Sequence, residues 1–169
     1  MAKFERTRML IAGNLQGVPI MPQIEDFDPP AIEKEMQAAR GGRFAPEQVM
    51  VGLKEMTATL TINGAGWMLI KPLGVNQGDS VMLDIRESGK TTDGSTFSTW
   101  HSIGGTLVSI KERKMKMGDL PQTEFVFAPY RYTRLEDGIQ TININLRTQV
   151  IDLGAGDIMA DIRRAVLLT

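Results

Sequence analysis

The chain has 169 residues, enough for one ordinary domain with its own core, and 42% hydrophobic with 23% charged residues argues against long disorder. Nineteen basic residues stand against 20 acidic ones, a net charge of −1, so no global bias draws it to nucleic acid or to an anionic membrane. The absence of cysteine excludes disulfides, thiolate zinc sites and cysteine nucleophiles, and fits assembly in a reducing cytoplasm.

The N-terminal residues mix Lys3, Glu5, Arg6 and Arg8 with only a short apolar run at 9–12, too short for a secretory signal. No window approaches the apolar length of a membrane span, so a soluble chain is expected. Residues 9–12 followed by Gln16-Gly17 read as a strand and tight turn, with 18–21 returning as a hairpin. Residues 24–30 are acidic and end in Pro29-Pro30, which favours extended backbone. Propensity alone predicts a helix over 31–40, where Ile32 and Met36 lie four apart; an alternating strand is the other reading. After Gly41-Gly42, residues 48–53 and 55–63 read as strands, the second alternating Ala58, Leu60 and Ile62 with threonines.

A short helix is predicted over 65–71, packing Trp67 and Ile70 and closed by Pro72. Residues 80–86 alternate Val81, Leu83 and Ile85 with Asp84 and Arg86, and 97–111 resumes strand after a polar turn at Asp93-Gly94. Residues 123–135 and 139–146 flank Glu136-Asp137-Gly138, the strongest hairpin signal present. Residues 157–168 read as a C-terminal helix, with Asp157 as N-cap, an Ile158/Ile162/Val166 stripe and late arginines. The expectation is a single mainly β domain over 1–169, antiparallel, with one short internal helix and a helical tail over 154–169.

Candidate chemistry is sparse. His101 is the only histidine; Ser98 and Ser102 are near it in sequence, but no nucleophile-elbow motif surrounds them, and a strand-surface or interface histidine is expected. Glu25, Asp26 and Asp28 crowd together without a calcium-loop spacing, so they read as a solvated acidic segment. Gly41-Gly42 and Gly104-Gly105 lack a phosphate-loop context and read as bends or bulges. Lys111, Arg113, Lys114 and Lys116 form a basic loop diluted by Glu112 and Asp119, without interleaved aromatics. No catalytic, cofactor-binding or metal residue is assigned.

The order of elements resembles the major tail tube proteins of contractile phages and R-type pyocins, and more distantly the tube protein of type VI secretion. The resemblance rests on Asn14-Leu15-Gln16-Gly17, the Arg40-Gly41-Gly42 kink, and the step from Gly52-Leu53 through Met56 into a strand ending at Gly64. It continues through the Asp137-Gly138 hairpin to the arginine-bearing tail. It implies a rolled two-sheet antiparallel sandwich or barrel, with 31–40 extended against local propensity and 40–53 a loop or hairpin reaching a neighbouring ring. It also implies Arg40, Gly41, Gly42, Arg43 and Phe44 at an inter-subunit contact. The implied role is a structural subunit, not an enzyme: hexameric rings stacked into a hollow tube inside a contractile sheath. The implied partners are further copies of itself, the sheath protein, tape-measure protein and genomic DNA in the lumen, and baseplate and terminator proteins, with no membrane and no cofactor. A DNA-free tailocin tube and, from another class, a monomeric β-sandwich ligand-binding module are the rival readings.

Overall fold

A computed structural model describes residues 5–64, 67–70 and 78–167. Eleven strands are described: β1 (Arg6–Leu15), β2 (Val18–Pro19), β3 (Ile24–Asp28), β4 (Lys34–Ala39), β5 (Glu47–Leu53), β6 (Ala58–Asn63), β7 (Val81–Thr91), β8 (Thr96–Glu112), β9 (Gln122–Glu136), β10 (Ile139–Asn145) and β11 (Val150–Asp152). Two short helices accompany them, α1 (Trp67–Ile70) and α2 (Ala160–Ala165). The fold is mainly β and antiparallel, as expected.

Nine strands form one sheet in the order β11-β10-β9-β8-β7-β1-β2, with β6 pairing β9 and β3 pairing β6 off that path. The branch arises because β8 and β9 are long and bend together. Their first halves and second halves belong to different layers: residues 96–105 of β8 pair with β7, whereas 122–127 of β9 pair with β6. The bend lies at the register shift between Gly104 and Gly105, opposite Pro129. A Cβ on Gly105 would stand 2.7 Å from the Ala128 carbonyl oxygen, so the close backbone approach needs glycine. The expected bulge at Gly104-Gly105 is observed.

Local chemistry accounts for the hairpins. Asp137 and Gly138 both take positive φ, +50° and +83°, as do Gln16 and Gly17 at +51° and +80°. Paired positive φ gives a type I′ turn, whose twist matches that of the strands it joins. Alternation then decides the faces. Along β7, Val81, Leu83 and Ile85 are buried while Arg86 is exposed. The rolled layers enclose Leu15, Ile20, Leu60, Ile62, Leu83, Ile85, Ile103, Phe125, Phe127 and Ile144. β1 and β3 approach across this core without pairing, so the roll is a sandwich and not a closed barrel among the described strands.

One expectation is corrected and two details are added. Residues 34–39 are strand β4, not helix, because they pair with β5 from Lys34↔Leu53 to Ala39↔Glu47; pairing overrides the local helix preference. Strand β11, too short to show a period in sequence, pairs with β10. In α1, Leu69 is buried and Ile70 packs against the core, while the Trp67 side chain lies outside the described residues.

Candidate interaction surfaces

β4 and β5 form a separate two-stranded sheet, all of whose β4 residues are exposed. Its tip is set by Gly41 and Gly42 at φ +43° and +75°, closed by Arg43 N–H donating to the Arg40 carbonyl at 2.8 Å and by an Arg43–Glu47 ion pair. At the base, Lys54 Nζ donates to Glu33 at 2.7 Å, which lowers the Glu33 pKa through the hydrogen bond and then the charge. Phe44 at the tip is fully exposed, at 101% of its reference area. Met36 stands opposite Met50 and Gln37 opposite Val49, so both faces of the hairpin carry apolar side chains in solvent. A lone two-stranded hairpin is marginal in water, and an apolar surface on both faces is unusual for a monomer. The structure thus brings Arg40, Gly41, Gly42, Arg43 and Phe44 together at one projecting tip.

The C-terminal tail is held by polar contacts, not by its apolar stripe. Asp157 Oδ1 accepts from the backbone N–H of Ile151 at 3.1 Å and of Met159 at 3.0 Å, and Oδ2 pairs with Arg163 at 2.6 Å. The Arg163 hydrogen bond is the main reason the Asp157 pKa falls to about 2. Ile158, Ile162 and Val166 are 47%, 55% and 61% exposed, so within the protomer this stripe does not pack on the sheet, one of the two partners expected for it; the other is a neighbouring protomer. The described helix spans Ala160–Ala165, and Leu168 lies outside the described residues.

His101 corrects another expectation. It is not on the strand surface but buried, its Nδ1 at 2.9 Å from the Tyr132 hydroxyl and its ring edge-on to Phe27. The even-numbered Ser98 and Ser102 fall on the opposite face of β8. Burial pushes the His101 pKa down to about 4 and the Tyr132 pKa up to about 12. Since the folded state disfavours the imidazolium, stability is full above the ordinary value near 6.5 and falls as pH drops toward 4, levelling below it. The expected loss is on the order of 3 kcal/mol in urea unfolding between pH 7 and pH 4. His101→Phe should flatten that part of the profile, and an unchanged slope would show that other groups carry it.

The acidic strand β3 and the basic loop after β8 are both on the surface. Glu25 accepts from Asn63 Nδ2, while Asp26 and Asp28 are exposed. Beyond Lys111 the loop also exposes Met115, Met117 and Leu120. Among the described residues no group of three or more His, Asp or Glu side chains is placed to hold a metal.

Compared with known proteins, residues 13–166 match the family described as Phage tail tube protein FII. No curated protein sequence matches the chain. Among solved structures, the chain is similar to the anti-feeding prophage tube-terminating cap, with TM-score 0.58, 12% identity, and 80% of this chain and 93% of that one covered. It is similar to the sheath/tube terminator of an extracellular contractile injection system, PVC, in the extended state, with TM-score 0.55, 13% identity and coverage of 75% and 93%. The PVC sheath-tube complex gives TM-score 0.53, 14% identity and coverage of 75% and 88%. At these identities the likeness is one of fold.

Proposed function

The chain belongs to the family of phage tail tube protein FII, and from that premise we propose that it forms the tube of a contractile tail by stacking hexameric rings. It is a structural subunit of a tail tube. In this reading the tube lies inside a contractile sheath, encloses the tape-measure protein and then conducts DNA, and meets a terminator at one end and a baseplate at the other. Assembly takes place in the host cytoplasm and the finished tube is part of the virion. The absence of a basic excess suits a conduit, because clustered cations would hold the phosphate backbone instead of letting it slide.

The β4–β5 hairpin carries this reading most directly. Its two apolar faces and the fully exposed Phe44 are unfavourable in a monomer and fit a contact with neighbouring copies. Residues 40–44 are proposed to reach the next ring. Electron microscopy of the purified protein should show rings or tubes. Replacing residues 43–46 with a Gly-Ser linker should leave the circular dichroism spectrum of the protomer unchanged and abolish long tubes. Tubes of ordinary length from that variant would refute the role of the tip. Particles purified without nucleic acid would assign the tube to a DNA-free injection particle.

A further inference from the structure

The single histidine of the chain lines a small cavity between the two layers, together with Arg8, Glu87, Phe27 and Pro29. β3 covers this cavity as an edge of the four-stranded layer that it forms with β6, residues 122–127 of β9 and residues 106–112 of β8. From β3 come Phe27 and Pro29, which carry no charge, while β9 supplies Tyr132 and Arg134, β7 supplies Glu87 and β1 supplies Arg8. Arg134 stands opposite His101 in register and has its own carboxylate, Glu136, at 3.5 Å. Among the described residues Glu87 is thus the one carboxylate lining the cavity, two positions along β7 from Ile85, the residue opposite His101.

Tyr132 already takes up Nδ1 at 2.9 Å and stays protonated, its pKa pushed up to about 12 by burial. When His101 gains a second proton, Nδ1 becomes a donor and the Tyr132 hydroxyl can accept from it. Nε2 is the other donor of the imidazolium, and it has no protein partner among the described residues. The cavity, about 20 Å³, has room for about one water molecule, too little to hydrate an imidazolium. The new charge therefore needs a protein carboxylate, and burial alone holds the His101 pKa down at about 4.

Glu87 is already paired with Arg8, and the two cations lose unequally without it. The Arg8 side chain is 58% exposed and can return to water, so its ion pair is worth little. A buried imidazolium has no such refuge, and an unpaired buried charge is costly. Arg8 also lies where release is easy. It sits just before the register shift at Met9, so residues 6–8 form a short separate arm of β1. All three are exposed and pair with β7 on one side only. Two ion pairs fix the arm among the described residues, Arg8–Glu87 and Arg6–Glu136.

We infer that protonation of His101 makes Glu87 exchange partners, from Arg8 to the imidazolium, and so frees residues 6–8 of β1 as an edge that opens in acid. The exchange is a property of the protomer and does not depend on the tube reading.

A lone histidine gives one set of ring signals, so its titration can be followed by NMR in the full-length protein. Arg8→Gln should raise the His101 midpoint by about one pH unit or more, because Glu87 is then free for the imidazolium. In a Glu87→Gln background the same change should raise it far less, since no carboxylate is released. An equal rise in both backgrounds would mean that Arg8 acts by direct repulsion alone, and would overturn the exchange. Thr7→Cys supplies the only thiol of the chain for a spin label on the arm. Its mobility should increase as pH falls through the His101 midpoint, while the near-ultraviolet circular dichroism spectrum is retained. His101→Gln should keep the label immobile over the same range. Loosening of the label in that variant, its failure to loosen with His101 present, or loss of the whole fold in or before that step would each overturn the inference.

Discussion

Phe125→Ala is expected to destabilise the protomer by about 3–5 kcal/mol, the range for removing a fully buried phenylalanine. Phe125 is 0% exposed, lies on β9 between Ile110 and Leu60, and its ring stacks near that of Phe127 at 6.5 Å between centroids. It sits where the four-stranded layer covers the core, so a cavity there has little freedom to collapse. Urea denaturation would show the loss as a lower midpoint with an unchanged slope. A cost under about 1 kcal/mol would mean that this layer is not part of the cooperative core.

Gly89→Val should rival it through the opposite fault, crowding. Gly89 lies on β7 opposite Arg8, beside the register shift where Met9 bulges out of β1. A Cβ at Gly89 would stand 1.9 Å from the Thr7 carbonyl oxygen and 2.9 Å from the Phe97 ring. Backbone cannot yield as a flexible side chain can, so the first half of β1 must separate from β7. A destabilisation of about 3 kcal/mol is expected. Amide hydrogen exchange should localise it, with protection lost in residues 6–8 and kept in β9. Unchanged protection throughout β1 would show that the two strands do not meet as closely as described.

The parts of the fold that could be read from sequence are those where one face is buried and the other wet. β6, β7 and β10 alternate visibly, and Asp137-Gly138 announces its hairpin, because period-two burial and positive φ each leave a residue-level mark. β4 could not be read in the same way. Its Glu, Met, Gln and Ala residues favour helix one by one, and what makes them a strand is β5, eight or more residues on. The resemblance supplied the extended reading that propensity missed. The tail was legible only in part: the Ile158/Ile162/Val166 stripe marks an apolar face, but in the protomer the Asp157–Arg163 contact holds the helix and the stripe does not meet the sheet, which leaves a neighbouring protomer as its expected partner. His101 was misplaced because one histidine carries no periodic signal of its own; only its odd-numbered neighbours Phe97, Thr99 and Ile103, all buried, would have placed it inside.

The shared β8–β9 ribbon bears on how the subunit carries load. In a sandwich whose layers are joined only by side-chain packing, a sideways push is resisted by an interface that can slip. Here two continuous backbones pass from one layer into the other through the bend at Gly104-Gly105. Force applied to either layer is then passed on through covalent chain and ladder hydrogen bonds before the packed core must resist it. Such a subunit behaves mechanically as a stiff brick, and compliance in a column of such bricks would reside in the joints between them.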